Sequence, residues 1–307
     1  MSDFTTYKFI ADDNEDRIDV FLSNVYKDAS RTYIQKLIKE GNISVNGKIC
    51  SKPSYKLKED DEIDLNVPDP LPLEILPEDI PLDIIYEDDD FLIVNKPKGM
   101  VVHPACGHLD GTLVNALLFH CKDELSGING ILRPGIVHRI DKDTSGSLII
   151  CKNDFAHRNI ADQLKVHSIK RVYLGIINGR LKESEGTVDI YIDRDKNDRK
   201  KMGVCDSLHG KKAITHYKVL KEFDGYSLVE FTLETGRTHQ IRVSMSYLNH
   251  PLLGDTVYGS PKNKFGVEGQ VLHAKTIGFM HPSKNEYVEF EAPLNSEFER
   301  LLKILDK

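Results

Sequence analysis

The chain has 307 residues, 41 Lys or Arg against 48 Asp or Glu, and a formal net charge of −7. That length suits one large domain plus a small one, and no run of eighteen apolar residues is present to form a membrane span. The five cysteines (Cys50, Cys106, Cys121, Cys151, Cys205) are scattered with no Cys-x-x-Cys spacing, which predicts free thiols in a reducing cytoplasm and argues against structural zinc.

The first eight residues lack the basic and apolar regions of a signal peptide, so the expected location is cytoplasmic. Ile18, Phe21, Leu22 and Val25 are spaced as one helical stripe. A second helix comes next, with Ser30 as its N-cap, Gly41 as its stop and Ile34, Leu37 and Ile38 inward. Arg31, Gln35 and Lys39 share another face of it. Asn46-Gly47 then predicts a tight hairpin.

Charge is segregated along this part of the chain. Residues 31–58 carry seven Lys or Arg and one acid, whereas residues 59–90 carry fourteen acids and no base. A basic patch on an acidic protein still binds phosphate locally, and the acidic run reads as solvated linker. Pro68, Pro70, Pro72, Pro77 and Pro81 fall in that run, and proline fixes φ and removes a donor. The expected organisation is therefore a small domain over 1–66, a Pro-rich linker over 67–81 and a large domain over 82–307, with freedom to move about the linker.

The large domain opens on a turn and a buried strand, Tyr86 to Pro97, and continues into Gly99-Met100-Val101-Val102-His103-Pro104. Farther on, the polar stretch His138-Arg139-Ile140-Asp141-Lys142-Asp143-Thr144-Ser145-Gly146 lies between two apolar runs, Ile136-Val137 and Leu148-Ile149-Ile150. A polar loop between buried strands is costly unless its groups have partners or a task. From charge and spacing alone, Asp141 or Asp143 reads as the former of an Asx turn. Ile169 to Gly175 reads as a strand, in which Tyr173 would ordinarily be core. Val229, Phe231 and Leu233 alternate with polar residues, and Gly236 breaks that strand. A helix is expected from near Thr238, with Ile241, Met245 and Leu248 inward and His239, Arg242 and Ser246 on a neighbouring stripe. Arg194 to Lys201 forms a further basic block.

Several of these segments resemble known families. His138-Arg139-Ile140-Asp141 with Thr144-Ser145-Gly146 resembles the signature of the RluA/RluD-type RNA pseudouridine synthases, with Ile140 where Leu is usual. Ile169-Lys170-Arg171-Val172-Tyr173 and the Gly236-Arg237-Thr238-His239-Gln240-Ile241-Arg242 segment match further motifs of that family. So do Lys212-Ala213, His250 to Gly259, and Leu272-His273-Ala274. Arg17-Ile18-Asp19, Ser30-Arg31 and Val45-Asn46-Gly47-Lys48 resemble the RNA-binding domain of the small-subunit ribosomal protein four type. The resemblance implies an α+β fold with a mixed, mostly antiparallel central sheet, flanking helices and loops, and a small N-terminal α/β RNA-binding domain.

It also implies an enzyme that turns uridines of RNA into pseudouridines, in large-subunit ribosomal RNA for the branch this chain most resembles. Asp141 would be the catalytic nucleophile, Tyr173 would lie against the target base and Arg242 would pair with Asp141. His138, Arg139, Thr144, Lys170, Lys212, Arg237, His239 and Leu272 are the expected substrate contacts. Arg31, Lys36, Lys39, Lys48 and Lys52 are the expected RNA contacts of the small domain. A paired Arg242 would stabilise the charged carboxylate against burial, and the base would have to leave its stack to reach it.

The isomerisation is neither redox nor additive, so no cofactor is expected. No metal is expected either, because His250, His273 and His281 lack close carboxylate or thiolate companions. A monomer is the default. Two other readings compete: a non-catalytic RNA-binding or ribosome-assembly factor, and a glycosidic hydrolase. The latter usually needs a second carboxylate, for which Asp143 is the nearby candidate.

Overall fold

A computed structural model of the chain describes residues 4–12, 16–68, 75–104, 109–122, 124–130, 133–196, 198, 200–260 and 262–307. Pro70, Pro72, Cys106, Asn197 and Arg199 lie outside the described residues. The chain divides into two compact units, Met1–Pro72 and Leu73–Lys307.

The first unit contains β1 (Phe4–Ile10), α1 (Ile18–Val25), α2 (Arg31–Lys39), β2 (Ile43–Val45), β3 (Lys48–Ile49) and β4 (Glu62–Pro68). Its sheet runs β1-β4-β2-β3 with antiparallel neighbours. Ser30 caps α2 by accepting Tyr33 N–H, and Gly41 comes after it with φ +80°, a conformation that Cβ-bearing residues avoid. Asn46 and Gly47 turn the β2–β3 hairpin with φ of 50° and 72°, the positive pair that a two-residue turn of this twist requires. Ile18, Phe21 and Leu22 of α1 pack with Ile34, Leu37 and Ile38 of α2 against Ile43, Ile63 and Leu65. Val25, expected in that stripe, is the last residue of α1 and is exposed, while Asp19 is buried instead.

The stretch expected as linker is taken up at both ends. Val67 and Pro68 belong to β4. Ile75 is buried in the core of the second unit, and Leu76 and Glu78 are tied to Asn115 through hydrogen bonds.

The second unit contains β5 (Ile84–Glu87), β6 (Phe91–Lys96), α3 (Leu113–Cys121), β7 (Ser145–Cys151), α4 (Asp154–Lys165), β8 (Lys170–Asn178), β9 (Glu185–Arg194) and β10 (Met202–Cys205). It continues with β11 (Lys211–Phe223), β12 (Tyr226–Leu233), α5 (Gln240–Tyr247), β13 (Leu272–Met280), β14 (Tyr287–Glu291) and α6 (Ser296–Leu305). The sheet order is β10-β9-β11-β12-β8-β13-β7-β6-β5, with β14 beside β13. Among the described strands only β7 and β13 pair parallel. The fold is therefore α+β with a mostly antiparallel sheet. Alternation sets the two faces: Leu92 and Val94 join one core with α3 and α5, while Phe91 and Ile93 join another with α4.

The register of three strands positions the polar loop. Ala274 of β13 pairs with Tyr173 of β8 on one side and with Gly146 of β7 on the other. Gly146 has φ +110°, and a Cβ there would strike the backbone of Ala274, so only glycine allows this close approach. The end of the polar loop is thereby fixed beside Tyr173.

Candidate active site

The 138–144 loop leads straight into β7 and is pinned from beneath. The fully buried Lys96 donates from Nζ to the carbonyls of Pro97 (2.7 Å), Met100 (2.8 Å) and Lys142 (3.0 Å). Burial draws its pKa down to about 7, while the three carbonyl acceptors use all three protons of the ammonium form. Gly99 N–H also reaches Lys142 O, and Thr144 N–H closes a turn on Asp141 O. The Asp141 carboxylate does not form the Asx turn that spacing suggested. Its Oδ2 accepts from Arg242 Nη1 at 3.0 Å.

That arginine is held from behind. Asp255, whose side chain is fully buried, accepts from Arg242 Nε at 2.7 Å and from Nη2 at 3.0 Å. Asp255 Oδ1 also takes the N–H groups of Val257 and Tyr258. Arg242 is thus bidentate with Asp255, and offers a single nitrogen to Asp141. Burial disfavours the guanidinium charge, but Asp255 and then Asp141 outweigh it and raise the pKa. The Asp255 carboxyl is lowered: burial pushes it up, and Arg242 and the two amides prevail. The sequence reading missed Asp255, although it lies in the His250–Gly259 segment. An acid next to a glycine in a matched motif was the available signal.

His239 stands at the other side of Asp141, with Nε2 at 3.8 Å from Oδ1. It precedes α5 in the left-handed region (φ 57°), uncommon for a residue with a Cβ. The Tyr258 hydroxyl accepts Met202 N–H at 2.7 Å and lies 2.9 Å from His239 Nδ1. Its own proton is then free to be donated to Nδ1, which leaves the ring proton on Nε2, facing Asp141. Burial lowers the pKa of His239, so the ring is neutral near pH 7.

Asp141 and Tyr173 open on a cavity of about 530 Å³, within the range that accepts a small organic group. Arg139, Lys165, Arg171 and Arg237 also line it, and Asp141 is the one acid among its lining residues. A chain of net charge −7 therefore has a cationic cavity. Tyr173 is 9% exposed. Burial pushes its phenol up to about 12, so it stays neutral.

The other expected substrate contacts divide into two groups. Arg139, Arg237, His239, Thr144 and Leu272 converge on the space around Asp141 and Tyr173. Arg237 is steadied by donating from Nε to Lys212 O, and Thr144 Oγ1 accepts from Gln270. His138 lines the cavity, but its Nε2 accepts Ile149 N–H at 3.0 Å, and burial lowers its pKa to about 3. Lys170 and Lys212 are not among the cavity lining and are paired with Glu289 and Asp189. Arg171, which the sequence reading passed over, lines the cavity instead. It is two residues from Tyr173 and hence on the same face of β8, whereas Lys170 is three away.

In the first unit, Arg31 and Gln35 turn toward the buried Asp19, as does Arg17. Lys36 is paired with Glu40, and Lys39 is exposed. Lys48 and Lys52 line one hollow of about 470 Å³ beside the hairpin. His250, His273 and His281 are all engaged, with Asn178 O, with Ser145 and Ala292 O, and with Asp88 respectively. Among the described residues no group of three metal-ligating side chains comes together, and no helix is long and apolar enough to cross a membrane.

Residues 90–247 match the family model described as RNA pseudouridylate synthase, and residues 16–63 match the S4 domain. The chain is 51% identical over 292 residues to an uncharacterized RNA pseudouridine synthase of Bacillus subtilis, covering 95% of each chain. It is 44% identical over 297 residues to a ribosomal large subunit pseudouridine synthase D of Zymomonas mobilis, covering 94% of this chain and 93% of the other. Its fold is similar to that of human RNA pseudouridylate synthase domain containing 1, with a TM-score of 0.56 and 27% identity, over 78% of this chain and 97% of that one.

Proposed function

This chain belongs to the RNA pseudouridylate synthase family and is an RNA pseudouridine synthase, an isomerase; we propose that it acts on large-subunit ribosomal RNA, with Asp141 as nucleophile and no cofactor. The substrate class is supported by the relatives that carry the name ribosomal large subunit pseudouridine synthase D, and by the S4 domain as a second RNA-binding unit. The observation that carries the role of Asp141 is its placement. Among the described residues it is the one carboxylate that lines a cationic cavity, touched by an arginine that a second, buried carboxylate holds in place.

The reaction breaks the bond between N1 of uracil and C1′ of ribose, turns the base, and joins C5 to C1′. The proton lost from C5 balances the one gained at N1, so atoms and electrons are conserved within the substrate. Asp141 attacks the ring, adds to C1′, or takes a sugar proton. All three routes begin from an ionised carboxylate next to the nucleoside. Arg242 sets a positive charge against it, and His239 presents an N–H from the other side. Tyr173 holds the turned base by stacking, after the uridine has left its helix at a cost of a few kcal/mol. Arg139 and Arg237 bind the neighbouring strand, and Lys36, Lys39, Lys48 and Lys52 bind phosphates through the first unit.

Pseudouridine mapping of total RNA from cells with and without the protein tests this. One or more sites in large-subunit ribosomal RNA should disappear on deletion and return with wild type but not with Asp141→Asn. A full set of sites restored by Asp141→Asn would refute the nucleophile and favour an RNA-binding factor.

A further inference from the structure

Arg171 is 7% exposed and lines the same cavity as Asp141 and Tyr173, yet it has no carboxylate partner among the described residues. Nη2 donates to the carbonyl of Glu234 at 2.9 Å, and Nε is buried with no acceptor. A second guanidinium, that of Arg237, is close enough to disfavour its charge, adding to the effect of burial. Arg237 also lines the cavity and is likewise held by a carbonyl rather than an acid. Gly236 makes room for Arg171, since a Cβ there would lie 2.5 Å from Arg171 Nη1.

A buried cation without a counter-ion is expensive. The buried Arg171 with the half-buried Arg237 near it, each fixed by a backbone carbonyl with donors left over, suits an anion with several oxygens. Uracil is neutral when it enters, so the anion of the substrate is its backbone. We propose that Arg171 and Arg237 form a binding site for one phosphodiester group of the RNA strand adjoining the target uridine. The proposal rests on the RNA pseudouridine synthase reading and adds a contact that fixes where the strand enters. Lys165, on the same cavity wall at the end of α4, continues the path beyond it.

The test uses the full chain carrying Asp141→Asn, so that binding is read without turnover. The probe is an RNA oligonucleotide spanning a mapped uridine or, if none maps, a uridine-containing single strand. Arg171→Gln should weaken binding about tenfold at low salt and reduce the slope of log affinity against log salt by about 0.7. One neutral methylphosphonate linkage, moved along the probe, should weaken the Arg171 protein at one position and have a smaller effect there on Arg171→Gln, in which Arg237 alone remains to hold the phosphate. Equal slopes and equal linkage penalties in the two proteins would overturn the proposal. Arg171→Met should melt no lower than its parent, since it removes an unpaired buried charge. A lower melting temperature with an unchanged salt slope would mark Arg171 as structural and also overturn it. Failure of wild type to isomerise any RNA would be a separate result, sinking the enzyme reading while the salt slope still reports on Arg171.

Discussion

Asp255 holds Arg242 through two hydrogen bonds, of 2.7 and 3.0 Å, in full burial. The arginine that meets Asp141 is therefore positioned by a carboxylate that has no surface exposure. Removing Arg242 strands Asp255 in the core, and removing Asp255 frees Arg242 to swing from Asp141. Arg242→Met should lose about 3–5 kcal/mol of stability together with activity. The double variant Arg242→Met/Asp255→Leu should regain part of the stability, since the N–H groups of Val257 and Tyr258 still lose their acceptor, and none of the activity. Thermal melts and single-turnover pseudouridine formation on the same preparations check this; an active double variant would sink the positioning role. Arg242→Lys cannot span both acids with a fork and should also be nearly inactive.

On the proposed function, Tyr173 acts through its ring. Tyr173→Phe should bind RNA as wild type does, whereas Tyr173→Ala should lose binding and about 3–5 kcal/mol of stability through the cavity it leaves. Because burial pushes the phenol to about 12, the pH–rate profile of Tyr173→Phe should match that of wild type between pH 6 and about 10. Disappearance of an alkaline limb in the Phe variant would assign a proton-transfer role instead.

Gly146→Ala tests the register at Ala274. The added Cβ meets the Ala274 backbone and a φ of +110°, so the variant should melt far below wild type or fail to accumulate. Gly225→Ala is the control, with positive φ but nothing within 4 Å; it should lose only about 1–2 kcal/mol. Similar losses in the two variants would mean that β7 and β13 can separate without consequence.

Asp19 gives the first unit an acid-sensitive core. Burial pushes its carboxyl up, but hydrogen bonds from Arg17, Gln35 and Arg31 dominate and bring it to about 2. The unfolded value is near 3.9, so the folded form binds the proton less readily. The contribution to stability is complete above about pH 4 and is lost as pH falls through about 2. Circular-dichroism melts should show this loss in wild type and a shallower one in Asp19→Asn. Parallel pH dependence in both would remove Asp19 from the account.

Much of the local structure was legible in the chain because local rules set it. Ser30 caps a helix because its hydroxyl reaches an amide three residues on, and Asn46-Gly47 turns a hairpin because both residues accept positive φ. The helix expected from near Thr238 begins at Gln240, since His239 takes a left-handed conformation that spacing does not reveal. Proline content says nothing of the packing of Ile75 in the core of the second unit, nor of the hydrogen bond that Leu76 O accepts from Asn115.

The sequence by itself carried the family motifs, and the resemblance they make implied a pair of Asp141 and Arg242, which the structure brings to 3.0 Å. Tertiary structure alone decided which charges have partners. Lys170 and Arg171 are adjacent cations in sequence, yet one is neutralised by Glu289 of β14, across β13, and the other is buried facing the cavity. Arg31 looks like Lys39 on a helical wheel, yet it is bound to Asp19. Periodicity fixes which way a side chain points, whereas the group it meets comes from a segment far along the chain and is set only when the sheet closes.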